Sequence, residues 1–110
     1  INIIYNELII NEQENLIPIQ YALHQNYPNP FNPITTISYD IPKHSYVSII
    51  IYDMMGREIT RLVEQNQSSG FKSVLWNATD KYGKKVSAGL YLYKIQTGEY
   101  IDTKKMILLK

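Results

Sequence analysis

The chain has 110 residues and a mass of 12.8 kDa, enough for one small domain around a single core and too short for two. Eleven Lys and Arg against ten Asp and Glu leave a net charge of +1, so no chain-wide field draws it to DNA, RNA or anionic lipid, and no nucleic-acid partner is expected. The absence of cysteine excludes disulfides, thiolate metal sites, iron–sulfur ligation and cysteine nucleophiles.

Seventeen Ile, ten Tyr, six Thr, four Val, two Phe and one Trp make 40 of the 110 residues β-branched or aromatic, against three Ala, a balance that favours strands. Ile1 to Ile10 reads like a strand, and a chain that opens on it without Met is expected to be a piece of something longer, its residues 1–21 a linker or the end of a preceding domain. No apolar run approaches the ~20 residues that span a bilayer as a helix. Asn11 to Tyr27 mixes Asn, Gln and Glu with isolated apolar residues and keeps neither period, which predicts an extended linker. Asn26-Tyr27-Pro28-Asn29-Pro30-Phe31-Asn32-Pro33 follows, stiffened by three prolines, as a clamp in which Tyr27 and Phe31 cover one end of a core.

From Thr35 the punctuation becomes regular. Thr35 to Ile41 alternates, with Ile37, Tyr39 and Ile41 on one face. Tyr46 to Tyr52 places Val47, Ile49 and Ile51 one way and Ile50 and Tyr52 the other, and the Asp53-Met54-Met55-Gly56 turn leads into a strand from Arg57 to Val63. Polar Glu64 to Gly70 predicts a loop, and Phe71 to Trp76 a strand with Val74 and Trp76 on one face. Asn77 to Lys85 is another loop. Leu90 to Thr97 puts Tyr91, Tyr93 and Ile95 on one side, Gly98-Glu99 is a two-residue turn, and Tyr100 to Leu109 returns. Six strands from Thr35, or seven with the first ten residues, predict an all-β, immunoglobulin-like antiparallel β-sandwich of about seven strands.

The search for chemistry finds few carriers. His24 and His44 stand 20 residues apart outside any metal-ligand spacing and read as surface histidines. There is no nucleophile elbow and no phosphate-cradling glycine loop. Asn77, Asp80 and Gly83 lack the alternating acids and bidentate Glu of a calcium loop and read as a hairpin turn. Four Asp and six Glu include none on a predicted inward face, so a paired-carboxylate glycosidase is not expected either. The chain is therefore read as no enzyme, with no cofactor, no metal site and no small-molecule substrate. Charge concentrates at the end: residues 1–20 carry Glu7, Glu12 and Glu14 with no base, while residues 71–110 carry eight Lys against three acids. Lysines such as Lys94, Lys104, Lys105 and Lys110 either guard an edge strand against aggregation or form a docking surface.

Five pieces occur in a particular order: Leu23 to Pro33, Ile51 to Arg57, Val74-Leu75-Trp76, Ala88 to Lys94 and the closing Lys104-Lys105-Met106-Ile107-Leu108-Leu109-Lys110. In that order the chain resembles, over about residues 22–110, the type A C-terminal sorting domain of the type IX secretion system of Bacteroidetes and their relatives. The resemblance implies a non-catalytic C-terminal secretion signal behind a larger passenger protein, recognised by the type IX outer-membrane translocon. It implies removal by a sortase-like cysteine protease at the cell surface, within residues 11 to 24, with the passenger in the periplasm in transit and then at the surface or outside the cell. The family's C-terminal elements fall on Gly89, Tyr91, Lys94, Gly98, Lys104, Lys105, Met106, Ile107, Leu108 and Lys110. The two last strands are expected to pair so that Lys94 lies near Lys104 or Lys105, with the terminal strand at an accessible edge where a receptor adds a strand or reads side chains. The alternative, suggested by ten Tyr and one Trp on a sandwich, is an accessory or carbohydrate-binding module of a secreted enzyme.

Overall fold

The computed structural model describes residues 3–5, 8–10 and 16–109, so Lys110 lies outside the described residues. Strands β4 (Ala22–Leu23), β5 (Thr35–Ile41), β6 (Ser45–Asp53), β7 (Glu58–Gln67), β8 (Gly70–Trp76), β9 (Gly89–Thr97) and β10 (Tyr100–Leu108) form two antiparallel sheets. One sheet has the order β10-β9-β6-β7 and the other β4-β5-β8. This is the expected immunoglobulin-like sandwich of seven strands.

Alternation decides which residues fill it. On β5, Thr35, Ile37, Tyr39 and Ile41 are buried between less buried neighbours, as period 2 requires for a strand with one face on the core. Val47, Ile49 and Ile51 meet them from β6, Tyr91, Tyr93 and Ile95 from β9, and Met106 and Leu108 from β10. At one end Trp76 is wedged between Phe31 and Tyr91, its ring centroid 5.7 Å from the first and 5.3 Å, edge-on, from the second. The indole N–H is satisfied by the Thr79 carbonyl at 2.9 Å.

Four expectations are corrected. Ile1 to Ile10 is not one strand: β1 (Ile3–Tyr5) and β2 (Leu8–Ile10) pair antiparallel with Tyr5 opposite Leu8, the polar Asn6-Glu7 pair interrupting the apolar run in the sequence. Within the stretch read as a linker, β3 (Leu16–Pro18) pairs with β2 to complete a separate three-stranded sheet, and β4 joins the sandwich. The loop expected from Glu64 is strand as far as Gln67, because as an edge strand against β6 it needs only its backbone groups paired and leaves one face to water. Tyr27 is 80% exposed and covers no core, while Phe31, at 1%, does. The expected turns stand where predicted. Gly98 opens the β9–β10 turn at φ +58°, the first position of a II′-type hairpin turn. Asp53 closes the β6–β7 turn by accepting the N–H groups of Met55 and Arg57, each at 2.9 Å.

Candidate functional site

The β9–β10 hairpin carries most of the residues singled out at the C-terminal end. Its register sets Tyr91 opposite Met106, Tyr93 opposite Lys104, Ile95 opposite Asp102 and Lys94 opposite Thr103. Residues directly opposite share a face, so the hairpin separates the lysines. Lys94 and Lys105 are diagonal neighbours on the outward face, and Lys104 falls on the inward face beside buried Tyr93. Asp102 also lies in inward register, against the expectation that no acid would. Both are half-buried, and both sit on an edge strand, where inward-pointing charges discourage pairing with another chain. Tyr91, Met106 and Leu108 are core, so their part in any address is to hold the hairpin to the sandwich. Gly89, Gly98 and Ile107 are exposed.

The Asn/Pro/Phe segment is built onto this hairpin. In an antiparallel ladder alternate residues of an edge strand turn their N–H and C=O outward, and on β10 these are Ile101, Thr103, Lys105 and Ile107. The Ile107 N–H donates to Asn29 Oδ1 and its carbonyl accepts from the Phe31 N–H, both at 2.9 Å. The Leu109 N–H donates to the Phe31 carbonyl at 2.8 Å, and Gln25 Nε2 donates to the Lys105 carbonyl at 2.8 Å. The edge expected to be accessible is therefore occupied from the Lys105 carbonyl to the Leu109 N–H. Sequence reasoning placed Asn29 and Phe31 in a stiff clamp but missed that their partner is the other end of the chain, a contact of high sequence separation with no periodic signal.

Behind the seal the segment is anchored by buried polar groups. Asn26, 2% exposed, donates through Nδ2 to Thr35 Oγ1 at 2.9 Å and to the Pro28 carbonyl at 3.2 Å. The Tyr93 hydroxyl accepts the Asn26 N–H at 2.8 Å and donates to the His24 carbonyl at 2.7 Å. Burial pushes the Tyr93 phenol up to about 12, and it raises Tyr100, whose hydroxyl accepts the Leu23 N–H at 3.1 Å and which also faces the Asp102 charge. Of the two histidines, His24 bonds Asp40 Oδ1 at 3.0 Å and His44 is exposed.

A cleft of about 560 Å³ opens beside the end of β10, lined by Asn32, Pro33, Asn77, Lys85, Val86 and Leu108 among others. Among the described residues Lys85 is the one ionisable group in its wall, and those residues offer no acid–base pair. Among the described residues no three His, Cys, Asp or Glu side chains cluster to hold a metal.

A family model described as the secretion system C-terminal sorting domain matches residues 25–109, from the lead-in motif to the end of β10. The chain belongs to that family. The sorting domain also resembles solved structures. Dimeric latent PorU from Porphyromonas gingivalis superposes with a TM-score of 0.67 at 20% identity, over 93% of this chain and 12% of that one. PorZ, a surface component of the type IX secretion system of the same organism, gives 0.58 at 22% identity over 81% and 12%. FLGD from P. aeruginosa gives 0.54 at 22% identity over 72% and 67%. At these identities the likeness is one of fold, and the sorting domain spans about an eighth of the first two proteins. No curated protein matches by sequence. Its function follows from the family: the chain is a secretion system C-terminal sorting domain, and a sorting domain implies export.

Proposed function

We propose that this domain is a non-catalytic address on a larger passenger, read by the type IX outer-membrane translocon and removed at the cell surface by a sortase-like cysteine protease. In this reading the passenger waits in the periplasm before it reaches the surface or the medium, and the cut falls within residues 11 to 24, ahead of the first residue of the sealed edge. The family match over residues 25–109 carries the reading. A sorting-domain family fits a non-catalytic role. The docking residues are proposed to be Lys105 and Ile107, which are exposed, and the half-buried Lys94 on the same face, together with Lys110, which lies outside the described residues, with Gly89 and Gly98 shaping the hairpin and Tyr91, Lys104, Met106 and Leu108 supporting it. Trp76, Tyr91 and Tyr93 are packed inside and supply no stacking platform for sugar.

The test is to fuse the 110-residue chain behind a periplasmic reporter in a bacterium that has the type IX machinery. Reporter at the surface or in the medium, lost in a strain without the translocon, is the expected outcome. Reporter that stays in the periplasm while the domain is folded overturns the proposal.

A further inference from the structure

The contacts that close the β10 edge also narrow how a receptor can read it. Strand addition needs a run of free N–H and C=O groups, and from the Lys105 carbonyl onward those are taken by Gln25, Asn29 and Phe31. Ahead of Lys105 the outward-turned residues are Ile101 and Thr103, and the Thr103 N–H already donates to Asp102 Oδ1 at 2.8 Å. The face beside that edge has a different character. Leu90, Ile101 and Ile107 are 44%, 56% and 39% exposed on the outward side of the hairpin, with Leu92, Lys94 and Lys105 among them. Ile50 continues the face onto β6, opposite Lys94, and is 8% exposed beneath its neighbours.

The charge on this face is one-sided. None of the outward positions of β6, β9 and β10 is an acid. The nearest acids in register are Glu58 and Glu64 on β7, and Arg61 binds both. Lys94 lies 5.5 Å over the Tyr52 ring and Lys105 is exposed on the edge strand, neither with a carboxylate partner among the described residues. An apolar surface flanked by two unneutralised ammonium groups is complementary to a protein surface with an apolar centre and acidic groups around it. A lipid surface fits less well, because these side chains lie along a flat sheet face and do not project from a tip that could enter the headgroup layer.

Resting on the export reading above, we infer that a partner protein docks on the outward face of the β9–β10 hairpin, its acidic groups meeting Lys94 and Lys105, without adding a strand to the β10 edge. The reporter fusion of the full chain tests this with four variants. Lys94→Glu with Lys105→Glu lowers export by about tenfold or more, and Lys94→Arg with Lys105→Arg keeps it. Thr103→Pro, which removes an edge N–H and leaves the β9 pairing, keeps export near the starting level, and so does Asn29→Ala, which opens the edge. Thermal unfolding of each purified variant establishes that it is folded. Export unchanged by the paired Glu variant overturns the inference, and so does loss of export in folded Thr103→Pro or a gain in Asn29→Ala. Co-sedimentation of the purified chain with phosphatidylglycerol vesicles, abolished by the paired Glu variant, overturns it in favour of a lipid surface. Failure of the unaltered chain to be exported overturns the export reading itself, and is told apart because it precedes any variant.

Discussion

The Tyr93 hydroxyl joins two stretches of chain that are 67 residues apart, accepting from Asn26 and donating to His24 from a site with no exposed surface. Tyr93→Phe keeps the ring and leaves that N–H and that carbonyl unpaired, so it should cost about 2 kcal/mol, read from chemical denaturation. The same phenol makes the fold sensitive to alkali. Below pH 10 it is protonated in both folded and unfolded chains and contributes no pH dependence. Above that the unfolded chain loses its proton first, because burial holds the folded phenol to about 12. Stability therefore falls as pH rises from about 10 toward 12, and Tyr39 and Tyr100, also raised by burial, add in the same direction. Unfolding midpoints followed across that range should fall less steeply in Tyr93→Phe than in the unaltered chain. Thr97 is the opposite case. It is 1% exposed and its hydroxyl has no hydrogen-bond partner, so Thr97→Val, of the same shape, should gain about 1 kcal/mol and raise the melting temperature by about 5 °C.

At the scale of the element, β10 is an edge strand with two different halves, and the difference is measurable. Asn29→Ala removes the acceptor of the Ile107 N–H and leaves the β9 pairing alone. In hydrogen exchange the Ile107 amide should lose about tenfold or more of its protection, while the Lys104 amide, which turns toward β9, keeps its own. Equal loss at both would mean that the seal and the ladder open together. This asymmetry also marks where the sequence was legible. Strands β5, β6, β8, β9 and β10 follow from period 2, because each buries one face and alternation records it. The end of β7 was missed because Glu64 to Gln67 is polar in a strand whose pairing is all backbone. Strand β4 was missed because two residues carry no period, and its pairing to Asp40 and Tyr39 is decided by the buried Leu23 and the anchors behind it. The candidate site was legible as a set of residues in order, through the resemblance. Its division into an outward Lys94 and Lys105 and an inward Lys104 was not, since it needs the register of the hairpin.

For the molecule as a whole, the two ends of the sorting domain are parts of one structure, and this bears on whether the C-terminal address proposed above can be read without the complete sandwich. Residues 23 to 31 supply Leu23 and Phe31 to the core and close the edge of the terminal strand. Met106 and Leu108 complete the same core from the other end. Losing Leu23 costs about 2 to 5 kcal/mol and losing Phe31 about 3 to 5, against a total stability of about 5 to 15 kcal/mol for a domain of this kind. The buried Asn26 anchor and the edge hydrogen bonds go with them. A chain that begins at Tyr21 keeps all of these contacts, including the stacking of Tyr21 on Tyr100 with centroids 5.6 Å apart. It should unfold in one cooperative transition and should still direct export. A chain that begins at Ile34 keeps six of the seven strands and the entire C-terminal set, yet should show no cooperative melt and no export. Near-ultraviolet circular dichroism follows the packing of Trp76 and Tyr91 in both chains. Export by the shorter chain without that packing would mean that the end of the chain is read as an unfolded tag, and that the surface of the folded hairpin plays no part.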